Sequence, residues 1–226
     1  MDYLSIFSRF GVTPNETDLY LLALTHPSCN SEFNTKHHDY ERLEFVGDSV
    51  IGFVSADLIY KIHSEMDQGL MSKLRSFLVC SKSLANYSRK YKFYEFIKIG
   101  HSISSEQLYK SDKILEDVFE ALIGALYLDQ GIEVAYRVIK EIMYDDIVNT
   151  GIDDIVDSKT RLQEEIQSEY REAVKYILIG ESGPAHDKTF EVEVLFNGIV
   201  LGKGKGKSKK SAEEAAAKDA LSKRSV

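Results

Sequence analysis

Ile114-Leu-Glu-Asp-Val-Phe-Glu-Ala-Leu-Ile-Gly-Ala-Leu-Tyr-Leu128 carries the reading of the whole chain. At about 100° per residue, Val118, Phe119, Leu122, Ile123, Leu126 and Leu128 leave no wide polar arc on a helix, and a helix apolar nearly all round is buried. Asp117 and Glu120 nevertheless stand near the start of this run. Burying an isolated carboxylate is very costly, so buried acids need a partner. Their i, i+3 spacing projects both from one face, and a divalent cation is a fitting partner. The plainer alternative places both in a first helical turn, where the dipole favours acids and solvent exposure is ordinary. This segment alone leaves that choice open.

Glu41-Arg-Leu-Glu-Phe-Val-Gly-Asp-Ser-Val-Ile-Gly-Phe-Val54 supplies a second acidic helix. On a helical wheel Glu41, Glu44 and Asp48 share an arc of about 60°. Leu43, Val46, Val50 and Val54 form the opposing core stripe, while Phe45 and Ile51 bracket the acids. Clustered anions repel one another unless a cation binds. An ordinary polar helix face is the alternative when this helix is taken alone. Two acidic helices together make an oxygen-only donor set, which suits Mg²⁺, with Mn²⁺ as substitute. Such a set points to phosphoryl transfer or phosphodiester hydrolysis.

These segments carry a resemblance. Glu41 to Ile51 resembles the signature of the ribonuclease III family, Asp117 to Gly124 is similar to its second acidic segment, and Leu24-Thr-His-Pro-Ser28 is similar to a third. The resemblance implies a mostly helical endonuclease domain over residues 1–148. It puts Glu44, Asp48, Asp117 and Glu120 around the metal, with Asp48 and Glu120 most directly catalytic and Glu41 accessory. The implied reaction cuts double-stranded RNA to 5′-phosphate and 3′-hydroxyl ends with short 3′ overhangs, in the processing of ribosomal precursors and of other structured RNAs, messengers included. A homodimer is also implied, with Phe45 entering the partner subunit; its place beside the acids and off the core stripe independently suits an interface. The pattern departs at Gln68, where many family members carry Glu, and a neutral amide is a weaker cation ligand.

The chain has 226 residues, a net charge of −8, 43% hydrophobic residues and three prolines. That is enough for one large domain or two modest ones. No apolar stretch approaches membrane-spanning length, and the N-terminus lacks a signal pattern. Cys29 and Cys80 have no metal or redox spacing. A cytoplasmic protein with free thiols and no membrane partner is expected. His37-His38-Asp39 is better read as a polar loop than as part of a histidine–aspartate metal site, and His26, before Pro27, as a structural hydrogen-bonding residue.

The charge is unevenly spread. Residues 157–226 hold 13 Lys and Arg against 12 Asp and Glu, whereas residues 1–156 hold 15 against 24. A composition shift near Asn149–Asp154 marks a linker over residues 149–156. Beyond it the order reads as a helix capped by Ser158, three strands and an alanine-rich helix from Ser208 to Ser222. Asn197-Gly198 gives a two-residue primed hairpin turn. Lys203, Lys205, Lys207, Lys209 and Lys210 lie between the third strand, begun at Ile199–Gly202, and the last helix, with no acid among them. The last two start that helix, where free N–H groups and the dipole favour phosphate; a solvated lysine loop is the plainer reading. The spacing of a P-loop is not met.

Residues 157–226 resemble a double-stranded RNA-binding domain of α+β type, α-β-β-β-α, through Lys159-Thr-Arg-Leu-Gln-Glu164, Gly183-Pro-Ala-His186 and Lys207-Ser-Lys-Lys-Ser-Ala-Glu213. The resemblance assigns Thr160, Gln163 and Glu164 to one minor groove, Pro184 and His186 to the next, and Lys207, Lys209 and Lys210 to phosphates between them. A-form RNA, read by shape and 2′-hydroxyls, fits such contacts. The rival reading is a non-catalytic double-stranded RNA-binding dimer; the complete acidic set argues against it.

Overall fold

The computed structural model describes residues 3–33, 38–151, 155–184 and 187–224. The chain divides into two compact units, Met1–Thr150 and Gly151–Val226. In the first, a 3₁₀ segment Tyr3–Phe10 leads into α1 (Thr17–Ala23), α2 (Ser28–Phe33), α3 (Glu41–Ile62), α4 (Gln68–Leu78), α5 (Ser81–Lys90), α6 (Ser105–Lys110), α7 (Asp112–Gln130) and α8 (Ile132–Asn149). In the second, α9 (Ser158–Tyr170) precedes β1 (Lys175–Ser182), β2 (Thr189–Phe196), β3 (Ile199–Gly206) and α10 (Lys209–Arg224). The architecture is therefore an all-α unit followed by an α-β-β-β-α unit. No helix among the described residues is long and apolar enough to cross a membrane.

Helix α7 is the axis of the first unit. Every residue from Asp117 to Leu126 is buried, as its all-round apolar pattern requires. Phe119 packs against Tyr87 of α5 and Phe93, with ring centroids 5.7 and 6.1 Å apart. Full burial of each such aliphatic or aromatic side chain contributes about 1.5–3 kcal/mol. The helix starts earlier than its apolar run: the Ser111 side chain accepts from Ile114 N and caps it. Asp117 and Glu120 thus lie beyond the first turn, which removes the dipole-favoured surface reading. The helix stops at Gly131, whose φ of 80° is the left-handed region that glycine enters without strain.

Helices α3 and α7 form the most extensive pairing in the unit. Two glycines make it possible. A Cβ on Gly47 would stand 1.7 Å from the Glu120 carbonyl oxygen, and one on Gly124 would stand 2.2 Å from that of Leu43. Backbone meets backbone there. This contact turns the buried face of α3 from the expected stripe: Leu43, Gly47, Val50, Ile51, Val54 and Leu58 are buried, while Val46 is half-exposed. Ile51 is therefore core rather than a flank, and the acidic arc sits on the core's shoulder.

The second unit is an antiparallel sheet in the order β1-β2-β3. Leu162 and Ile166 of α9, Val192 and Val194 of β2, and Ala216 and Ala220 of α10 share its core. Asn197 and Gly198 have φ values of 49° and 81°, which gives the primed hairpin turn. Two expectations are corrected. Asp157 caps α9, its side chain accepting from Thr160 N, so Ser158 is the first helical residue. Residues 202–206 are not a loop but the second half of β3. A Cβ on Gly204 would come 2.2 Å from Ala216 N, so α10 lies directly on these glycines. Strand alternation then sends Lys203 and Lys205 outward.

Candidate metal centre

The α3–α7 crossing brings acids from both helices together. Glu44, Asp117 and Glu120 each present an oxygen, and these oxygens lie within 4.8 Å of one another. Asp117 and Glu120 are only 6% and 7% exposed; Glu44 is half-buried, and Asp48 and Glu41 are exposed. The wheel order explains the gradient, since Glu44 lies nearest the buried arc and Glu41 farthest from it. Asp48 falls outside the trio, although its charge acts on Glu120.

Electrostatics follows from this crowding. Burial, then the charges of Asp48, Glu116, Glu44 and Asp117, push the Glu120 carboxyl up to about 8. Burial and Asp117 also raise Glu44, against the opposing pull of Lys113. One cation answers the acids: Lys113 Nζ lies 2.5 Å from Asp117 Oδ1 and 3.4 Å from Glu44 Oε1. The Tyr40 hydroxyl donates to Asp117 Oδ2 at 3.2 Å. Asp39, 3% exposed, accepts from Glu41 N at 3.0 Å and fixes the start of α3. An all-carboxylate donor set that already draws in an ammonium has the chemistry for a hard divalent cation.

Sequence reasoning passed over Tyr40, Lys113 and Glu116. Lys113 and Asp117 are i, i+4 on one helix, a readable signal; Tyr40 has none, because its contact spans 77 residues. Other residues fall elsewhere. His26 Nδ1 accepts from Ser28 N at 2.9 Å, in a turn, and its ring packs on Tyr40. Gln68 is exposed and donates to Ser72 Oγ. His38 is exposed, and His37 lies outside the described residues.

A large apolar groove lies away from the carboxylates. About 820 Å³ in volume, it lies along α3 beside Phe45, Val50, Phe53, Tyr127, Leu128 and Ile132. Phe45 is 77% exposed and Phe53 59%, so two large apolar rings face solvent beside this groove.

In the second unit, Thr160 is held by Asp157, Glu164 and Pro184 are exposed, and His186 lies outside the described residues. Gln163 turns inward, its Oε1 accepting from Val174 N at 3.2 Å. Lys203 and Lys205 pair with Glu193 and Glu191 at 2.6 and 3.3 Å, and Lys207 with Asp187 at 2.7 Å. Lys209 and Lys210 are exposed at the start of α10, in no ion pair among the described residues.

Comparison with known proteins agrees with this geometry. Residues 16–147 match the family described as Ribonuclease-III-like, and residues 158–224 match the double-stranded RNA binding motif. The chain is 39% identical to Ribonuclease 3 of Onion yellows phytoplasma (strain OY-M), over 97% of this chain and 90% of that protein. It is 41% identical to Ribonuclease 3 of Streptococcus pyogenes serotype M1, over 95% and 94% respectively. The nuclease domain of ribonuclease III from Campylobacter jejuni superposes with a TM-score of 0.57 at 28% identity, covering 62% of this chain and 95% of that one; that structure is described as flexible in a region involved in dimer formation.

Proposed function

The chain belongs to the ribonuclease III family of metal-dependent endoribonucleases, and from that premise we propose that Glu44, Asp48, Asp117 and Glu120 hold Mg²⁺ (Mn²⁺ substituting) for cleavage of double-stranded RNA. The observation that carries this reading is the convergence of three carboxylates from two helices, two of them buried. A bound divalent ion there supplies a polarised water and charge stabilisation for phosphodiester hydrolysis.

The side chains divide the remaining work. Asp117 and Glu120 are fixed by the packing of α7 and cannot follow a departing cation. Tyr40 orients Asp117 through its hydroxyl. Asp48, exposed beside Glu120, stands where the sugar–phosphate chain arrives and can orient a water. Glu41, at the rim, meets the substrate or orders the site. Burial and the neighbouring carboxylates raise the Glu120 carboxyl to about 8, so a bound divalent ion would compete with a proton for it.

A duplex has two antiparallel strands, so a symmetric homodimer with two such centres cuts both. Phe45 and the groove along α3 suit a self-complementary contact in which each copy's ring enters the other's groove. The second unit, a double-stranded RNA binding motif, contributes Thr160, Gln163, Glu164, Pro184, His186, Lys207, Lys209 and Lys210. Products with 5′-phosphate and 3′-hydroxyl ends and short 3′ overhangs, a role in ribosomal precursor and messenger processing, and a cytoplasmic site of action complete the proposal.

Labelled duplex RNA with Mg²⁺ tests it. Wild type cuts; Glu120→Gln binds the duplex with near-normal affinity but cuts about 10³-fold more slowly. Binding without cleavage by wild type would leave only a double-stranded RNA-binding dimer.

A further inference from the structure

The acidic centre meets a cation of the chain's own. Lys113 stands one turn before Asp117 on α7. Its Nζ lies 2.5 Å from Asp117 Oδ1, 3.4 Å from Glu44 Oε1 and 3.9 Å from Glu116 Oε2. One ammonium therefore touches two of the three side chains whose oxygens converge. The partners are unequal. The Asp117 side chain is 8% exposed and that of Lys113 67%. Helix packing fixes the acid, whereas the lysine reaches in from solvent on a flexible four-carbon stem. Leaving forfeits the contact with Asp117 that raises the lysine's pKa, but it returns to water a side chain that is already two-thirds exposed. Leaving is closed to Asp117, and its burial without any cation is costly.

We propose that Lys113 is a built-in placeholder for the divalent ion: it neutralises Asp117 and Glu44 while the centre holds no metal, and swings into solvent when metal binds. The inference rests on the reading of this centre as a metal site. Two cations cannot share Asp117 Oδ1 without strong repulsion, so metal binds the fraction of molecules in which the amine is withdrawn. The apparent affinity is lowered by that fraction. Lys113 is in this sense a residue that sets how much metal the protein needs, acting through the ligands rather than on RNA.

The test uses the full-length protein, without RNA, and Mn²⁺ as the probe. Binding is followed by the electron paramagnetic resonance of free Mn²⁺ for wild type, Lys113→Gln and Lys113→Arg. In parallel, acetylation of Lys113 is quantified by peptide mass, with Lys110, paired 2.6 Å from Glu106, as internal reference. Lys113→Gln should bind Mn²⁺ about 3- to 10-fold tighter, and Lys113→Arg within about twofold of wild type. Metal should raise Lys113 acetylation severalfold and leave Lys110 unchanged. Equal affinities in wild type and Lys113→Gln overturn the placeholder while leaving the metal site standing. Tighter binding with unchanged acetylation also overturns it, because charge alone then explains the affinity. Failure of wild type to bind Mn²⁺ removes the metal site and the placeholder with it.

Discussion

The two units treat charge in opposite ways. In the first, α3 and α7 push Glu44, Asp117 and Glu120 together, with Glu116 and Asp48 close enough to act on Glu120. In the second, opposite charges are interleaved: Lys203 with Glu193, Lys205 with Glu191, Lys207 with Asp187. Both rely on glycines to bring backbones into contact, Gly47 and Gly124 in one, Gly202, Gly204 and Gly206 in the other. The same device serves different ends. Helix against helix concentrates acids at a point; helix against strand leaves an outer face that is electrically quiet, with free positive charge at the tip of α10. A site for a small multivalent cation needs concentrated charge, whereas a duplex backbone needs only a few free cations at the right spacing.

Three experiments press on that contrast. The largest effect should come from Gly47→Ala. Its Cβ meets the Glu120 carbonyl oxygen at 1.7 Å, and backbone cannot step aside cheaply. Denaturant unfolding should show a loss of about 3 kcal/mol or more; an unchanged midpoint would mean that the helices do not touch through glycine.

The next concerns the cost of crowding. Glu120 ionises near 8 when folded, against about 4.3 in an unfolded chain. Between those values the unfolded chain has lost the proton and the folded one keeps it, so stability must fall as pH rises from about 4.5 to 8. In metal-free protein the decline is bounded by about 5 kcal/mol, a shift of roughly four units at about 1.4 kcal/mol each, and solvent beside the exposed Asp48 screens it to less than that; Glu120→Gln should flatten it. A variant with the full wild-type slope would place the decline on other groups.

The smallest effect tests the positive charge at the tip of α10. Lys209→Ala with Lys210→Ala should weaken duplex binding about tenfold at moderate salt, similarly across sequences, and make the salt dependence shallower by about two phosphate contacts. A salt slope equal to wild type would sever α10 from the phosphates.

Much of the fold is legible in the sequence, because periodicity is local. The apolar belt of α7, the alternation in β2 and the Asn197-Gly198 turn each lie within a few adjacent residues. The acids of α3 and α7 are legible as two sets for the same reason. What pulls them together is not: Gly47 and Gly124 look like ordinary helical glycines until the two helices are superposed on one another. The alternating Gly and Lys of 202–206 misled for a related reason. Glycine between lysines reads as a loop, and only the presence of α10 explains why those positions of a strand have no side chain. Tyr40 is hidden by its long separation from Asp117, whereas Lys113 was readable from its i, i+4 spacing.

The contact between Gly47 and Gly124 also bears on what the protein can tolerate. No side chain intervenes between the two main chains there, so their separation works as a rigid gauge, set by van der Waals radii and indifferent to which aliphatic residues fill the surrounding interior. Volume-conserving exchanges among Leu, Ile and Val in the neighbouring layers should therefore leave the spacing of the two acidic sets unchanged.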